Sequence, residues 1–70
     1  MQKVAAHVTG TVAKIEKRKG DRVAAGEVVV VLESMKMEMM VEATAAGTVL
    51  EVRGAEGQAV AEGDVLVLID

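Results

Sequence analysis

In this 70-residue chain, chemistry is concentrated at Met35-Lys36-Met37, flanked by Glu33-Ser34 and Glu38. A lysine amine with its ordinary pKa is about 99.9% protonated at neutral pH, so it is no nucleophile unaided. The nearest ionisable neighbours in sequence, Glu33 and Glu38, are acids and favour the charged form. Lys36 therefore reads as an acceptor for an activated acyl group and a base brought by another protein, rather than as a catalytic amine. An ordinary exposed lysine of an interaction domain is the competing reading.

Other chemistry is sparse. His7 is the single histidine and there is no cysteine, so no catalytic constellation or thiol chemistry accompanies it; a surface or packing role is expected for His7. Met35, Met37, Met39 and Met40 put four thioethers in six residues, and thioethers are soft ligands suited to Cu(I). In a strand, however, Met39 and Met40 point to opposite faces. Core filling and partner recognition account for these methionines better than copper does.

An internal repeat sets the elements that must carry Lys36. With a shift of 37, residues 8–33 fall on 45–70 without a gap, and nine of the 26 positions are identical. Gly10-Thr11-Val12 falls on Gly47-Thr48-Val49, Gly20 on Gly57, Val23-Ala24 on Val60-Ala61 and Gly26 on Gly63. Scattered Val/Ala matches would not put three glycine pairs in register. Two copies of one supersecondary unit, related by an approximate two-fold, form a closed domain over 1–70. A solenoid needs at least three copies.

Each copy reads as β structure. Thr11–Glu16 and Thr48–Arg53 are Val- and Ile-containing runs, the first with Val12 and Ile15 out of phase. Val28–Glu33 and Val65–Asp70 are the strongest strands. Glycines at 20, 26, 57 and 63 mark turns where positive φ costs little. Lys3–His7 fits an edge strand. The expected fold is all-β, two small antiparallel sheets packed as a flattened barrel or sandwich.

Residues 33–43 pull the other way, because Met, Glu, Lys and Ala are good helix formers. The repeat overrides this, since it makes 28–33 a strand and needs a return run. A two-residue turn at Met35-Lys36 sets Ser34 opposite Met37, Glu33 opposite Glu38, Leu32 opposite Met39 and Val30 opposite Val41. Val28, Val30, Leu32, Met39, Val41 and Ala43 then share the core face. The turn breaks local rules: tight hairpins prefer Asn-Gly or Gly-X, and like charges should not face each other. Such failures concentrate at functional sites.

Composition limits the remaining options. Half the chain is hydrophobic (51%), yet it has no Phe, Tyr or Trp, so it lacks the stacking platforms of single-stranded nucleic-acid binders. Residues 1–32 carry a net +3 and residues 33–70 a net −6, which sum to −3. Lys14, Lys17, Arg18, Lys19 and Arg22 form a basic cluster that reads as a solvated hairpin rather than a nucleic-acid footprint. No apolar run reaches membrane-span length and the opening Gln2-Lys3 does not read as a secretory leader. A cytoplasmic, monomeric domain, with neither nucleic acid nor membrane as partner, is the expectation.

Glu33-Ser34-Met35-Lys36-Met37-Glu38 resembles the biotinyl-attachment motif of biotin carboxyl carrier proteins. The resemblance spans nearly the whole chain: Ala6-His7-Val8-Thr9-Gly10-Thr11-Val12 is similar to that family's opening segment, and Gly20-Asp21, Gly26, Gly47-Thr48-Val49, Gly57 and Gly63-Asp64 match its later glycines. It implies two four-stranded antiparallel sheets with a quasi-two-fold, a barrel-sandwich hybrid with the lysine at a hairpin tip. It also implies biotin joined to Lys36 by a biotin protein ligase, and transfer of carboxybiotin between a biotin carboxylase and a carboxyltransferase by a carrier that is not itself an enzyme. Met35, Met37, Glu33 and Glu38 would be read by the ligase or these enzymes. Lipoyl domains share the fold and usually carry Asp-Lys-Ala at the tip, which favours biotin here. They also carry Glu and Gly where this chain has Glu33 and Gly20, so lipoate is the alternative group, either alone or on a dual biotin/lipoyl acceptor. The chain departs from the family in having His7 and Thr9 at proline positions and Met40 where many relatives have proline, and it has no thumb insertion.

Overall fold

The glycine-bounded valine runs are strands in the computed structural model, which describes residues 1–70. In order they are β1 (Gln2–Ala5), β2 (Gly10–Ile15), β3 (Arg22–Val23), β4 (Val28–Ser34), β5 (Met37–Glu42), β6 (Gly47–Val52), β7 (Ala59–Val60) and β8 (Val65–Ile69). There is no helix. All pairings are antiparallel and form two four-stranded sheets, ordered β1-β8-β6-β3 and β5-β4-β2-β7.

The two-fold implied by the repeat holds residue by residue. Adding 37 to β1 and β3 gives β5 and β7, and subtracting 37 from β8 and β6 gives β4 and β2, so one sheet order maps onto the other. Backbone bonds outside the strands follow the same rule. Gly20 N–H to the Val49 carbonyl has its twin in Gly57 N–H to the Val12 carbonyl, and Ala6 N–H to the Asp64 carbonyl in Ala43 N–H to the Glu27 carbonyl. Each copy sends its short strand into the other copy's sheet, β3 onto β6 and β7 onto β2. Neither half could close its sheet alone.

Gly20, Gly26, Gly57 and Gly63 all have positive φ, between 84° and 96°. These turns are closed by matching carboxylate or amide caps: Asp21 accepts from Arg18 N–H and Gln58 from Ala55 N–H, Glu27 from Ala24 N–H and Asp64 from Ala61 N–H. A side chain three residues on satisfies a donor that the tight turn leaves free.

The core lies between the sheets and is aliphatic. Val12, Val29, Val30, Leu32, Val49, Leu66, Val67 and Ile69 are its most enclosed side chains, and no polar side chain is buried. One expectation about it needs correction. The core face of β4 is not simply Val28, Val30 and Leu32, because a bulge between Val28 and Val30 turns Val29 fully inward and leaves Val28 half-buried. Strand Thr11–Glu16 has the same device. The register shifts between Val12 and Lys14, so Ala13 is the extra, exposed residue and both Val12 and Ile15 face the core. In β6 the extra residue is Leu50, which explains an exposed leucine there.

Candidate functional site

Strands β4 and β5 form the hairpin that carries Lys36, with the register the sequence implies: Ser34 opposite Met37, Glu33 opposite Glu38, Leu32 opposite Met39 and Val30 opposite Val41. The strong helix propensity of 33–43 loses to tertiary pairing, since β4 is a central strand held by β2 on one side and β5 on the other.

The turn is Met35-Lys36. Met35 has φ 54° and Lys36 φ 65°, and they are the only non-glycine residues with positive φ. Positive φ at both central positions is the requirement of a type I′ hairpin turn, whose twist matches that of the strands. Residues with a full Cβ pay about 1–2 kcal/mol each for this conformation. The fold therefore holds Met35 and Lys36 in a shape that neither would choose alone.

The tip is solvated. Met35 is 92% exposed, Met37 is 56% exposed, and Lys36, Glu33 and Glu38 are all exposed. Three ion pairs exist, Lys14–Glu16, Lys17–Glu27 and Arg53–Glu51, and Lys36 is in none of them. Its amine is neither neutralised nor fixed by a partner. Glu33 and Glu38, facing each other across the strands, flank it with two carboxylates whose mutual repulsion water screens.

The base of the tip is held from the side. The Ser34 hydroxyl donates to the Thr9 carbonyl at 3.0 Å, and the Thr9 hydroxyl accepts from Glu62 N–H at 3.3 Å. Next to Thr9, Gly10 lies so close that a Cβ there would collide with the Glu33 carbonyl oxygen. Thr9, Gly10 and Ser34 thus position the hairpin, a role not assigned from sequence. The Gly10/Gly47 match was the available signal, because Gly47 makes the same close approach to Asp70.

The other sequence candidates lie elsewhere. Met39 is half-buried and packs against the core, while Met40 is on the solvent face of β5. His7 is exposed, on an open groove between β1 and β5 that Met40 also lines. Arg22 of the basic cluster pairs with Thr48, whose backbone bonds to that of Asp70, so this residue sits beside the C-terminus. Lys17 is drawn to Glu27. Their hydrogen bond raises the Lys17 pKa and lowers that of Glu27, with the Ala24 N–H helping to hold the carboxylate charged.

The tip is strained and rigidly based, and its exposed lysine is free of ion pairs, so the amine is accessible from solvent. Comparison with known proteins gives the family. The family described as biotin-requiring enzyme, biotin/lipoyl type, matches residues 1–69. Among solved structures, the urea carboxylase of Kluyveromyces lactis is 35% identical with a TM-score of 0.93, over 99% of this chain and 6% of that one. A single-chain, multi-domain long-chain acyl-CoA carboxylase is 35% identical with a TM-score of 0.89, over 94% of this chain and 7% of that one. The lipoyl domain of the 2-oxoglutarate dehydrogenase complex from Azotobacter vinelandii is 29% identical with a TM-score of 0.77, over 96% and 95% of the two chains. The chain thus spans about a fifteenth of the two carboxylases and nearly all of the lipoyl domain. No curated protein sequence matches it.

Proposed function

This chain belongs to the biotin/lipoyl-attachment family of biotin-requiring enzymes, and from that premise we propose that it is a carrier domain biotinylated on Lys36 that serves a biotin-dependent carboxylase. The observation that carries the reading is the placement of Met35-Lys36-Met37: the one lysine of the hairpin stands at a left-handed, solvated tip with no ion pair.

The chain's own part in modification is short. A biotin protein ligase supplies the acyl group in activated form and a base for the amine. Lys36 Nζ attacks the acyl carbon, the activating group leaves, and an amide forms. The amide carries no charge, so the formal net charge goes from −3 to −4. The tip fits this step, because a free amine needs no ion pair broken before it enters an active site. Met35 and Met37 supply apolar contacts on either side of the lysine, and Glu33 and Glu38 mark the base of the tip with negative charge.

When bound, biotin supplies a site on which a carboxyl group is carried from a biotin carboxylase to a carboxyltransferase. The domain supplies the anchor. A rigid base at Ser34 and Thr9 fixes where the arm starts, and the lysine side chain gives it reach. The two carboxylases of similar structure support this assignment over others, as does methionine on both sides of Lys36.

The lipoyl domain match favours a second reading, in which the same amine accepts lipoate. Intact mass after co-expression with a biotin protein ligase and excess biotin, with peptide mapping over 33–43, tests the first reading; a lipoate ligase at equal concentration tests the second. One biotinyl addition on Lys36, absent in Lys36→Ala, is expected. Label that persists in Lys36→Ala, or modification by the lipoate ligase alone, overturns the biotin assignment.

A further inference from the structure

The five methionines of this chain are divided by the fold in a way the carrier function does not require. Met35 is 92%, Met40 60% and Met37 56% exposed, whereas Met39, two residues from Met37, is packed against the core. Exposed thioethers are oxidised readily, and the product is a polar sulfoxide in place of a flexible apolar side chain. Three such groups are therefore gathered on one hairpin, two of them bonded in sequence to Lys36.

We propose that the β4–β5 hairpin is an oxidant-sensitive site: peroxide converts Met35 and Met37 to sulfoxides, and in that state Lys36 is a poor acyl acceptor. The inference rests on the reading of Lys36 as the biotin acceptor. In the step itself a thioether sulfur lone pair attacks one oxygen of hydrogen peroxide and the O–O bond breaks. The sulfur keeps that oxygen and is oxidised by two electrons. The second oxygen leaves with both hydrogens as water, so peroxide is reduced by the same two electrons.

The arrangement makes the change local and reversible. Met35 and Met37 make no core contact, so their oxidation leaves the packing between the sheets intact, and the Ser34–Thr9 bond that fixes the base of the tip contains no sulfur. Met39, whose oxidation would put a dipole against the core, is the one methionine the fold shields. An enzyme surface shaped for two thioethers then meets two strong hydrogen-bond acceptors at those positions. Such an acceptor, placed in an apolar contact without a donor, costs binding. Met40 stands opposite Val31, away from the turn, and oxidises without effect on Lys36.

The test uses the protein itself with dilute hydrogen peroxide as probe. Peptide mapping over time should show Met35 oxidised first. Met1, 75% exposed and distant in the fold, serves as an internal reference, and Met39 should react last. Circular dichroism and Tm should stay near those of untreated protein. Labelling by a biotin protein ligase should slow roughly tenfold or more, the discrimination a pocket makes against one misfit group. The two epimer-specific methionine sulfoxide reductases should restore it, and Met40→Leu should leave the loss unchanged. Met39 reacting as fast as Met35 overturns the proposal, as does an unchanged labelling rate for protein oxidised at both Met35 and Met37, or a loss of peroxide sensitivity in Met40→Leu. Untreated protein that takes no label overturns the biotin reading of Lys36 itself, and the methionine order is then still read from the mapping.

Discussion

Ser34 and Thr9, 25 residues apart in sequence, are joined by one hydrogen bond of 3.0 Å that ties the lysine hairpin to the loop between β1 and β2. This bond sits two residues from Lys36 and is the polar anchor of the tip. Ser34→Ala should cost about 1 kcal/mol, the usual net worth of such a bond. Amide hydrogen exchange at Met35–Met37 should rise more than exchange in β8. An equal rise throughout would mean that the bond stabilises the whole fold and does not hold the tip.

The strain at the turn can be relieved. Met35 and Lys36 occupy left-handed backbone that Asn tolerates better than Met. Met35→Asn should raise stability by about 0.5–1 kcal/mol and Tm by several degrees in a domain of this size. Thermal unfolding followed by circular dichroism checks this, with Glu38→Asn as a control at an exposed strand position, where no gain is expected.

Glycine has two different jobs in this chain, and alanine scanning should separate them. At Gly10 and Gly47 a Cβ meets the carbonyl oxygens of Glu33 and Asp70, so two strands must move apart. At Gly20 and Gly57 a Cβ meets open space, and only the positive φ is penalised. Gly20→Ala should cost about 1–2 kcal/mol. Gly10→Ala should cost more, and chemical denaturation that ranked them the other way would contradict the close approach at Gly10.

The Lys17–Glu27 pair gives a stability that depends on pH at both ends. Glu27 is held below its ordinary value of 4.5, mainly by the bond to Lys17, so its contribution is present above 4.5 and lost as pH falls through the depressed value. Lys17 is held above its ordinary 10.5, mainly by the bond to Glu27, so its contribution is present below 10.5 and lost as pH rises through the elevated value. Lys17→Met should lie below the parent in Tm across the plateau between these limits. The two curves should converge in acid and in alkali.

Much of this was legible in the sequence because the repeat gave each inference a second reading. Glycines at equivalent positions mark the turns, and a two-residue turn at Met35-Lys36 dictates the pairing of Ser34 with Met37. Two kinds of feature were not legible. Strands β3 and β7 are two residues long, too short for any alternation, and exist because each is captured by the other copy's sheet. The bulges at Ala13, Val29, Leu50 and Leu66 each insert one residue that strict alternation does not register, which is why alternation puts Val28 in the core in place of Val29. At the tip, Lys36 and its neighbours are visible as residue types, while the support from Thr9 and from Gly10 at the start of β2 arises only when β2 pairs with β4 in the folded chain.

The two-fold also gives the lysine hairpin a counterpart. Gln2 pairs with Ile69 as Met39 pairs with Leu32, so β1 and β8 pair as the two strands of the lysine hairpin do. By the same two-fold, Asp70 stands where Glu33 stands and Met1 where Glu38 stands, so residues 34–37 correspond to a four-residue interval between Asp70 and Met1. A linker of that length, Ser-Met-Lys-Met, inserted between Asp70 and Met1 would close the backbone into a ring of two equivalent halves. The ring could then be cut between Met35 and Lys36. The resulting circular permutant would keep every strand pairing, carry Lys36 as its first residue, and present a second Met-Lys-Met tip at the opposite end of the molecule.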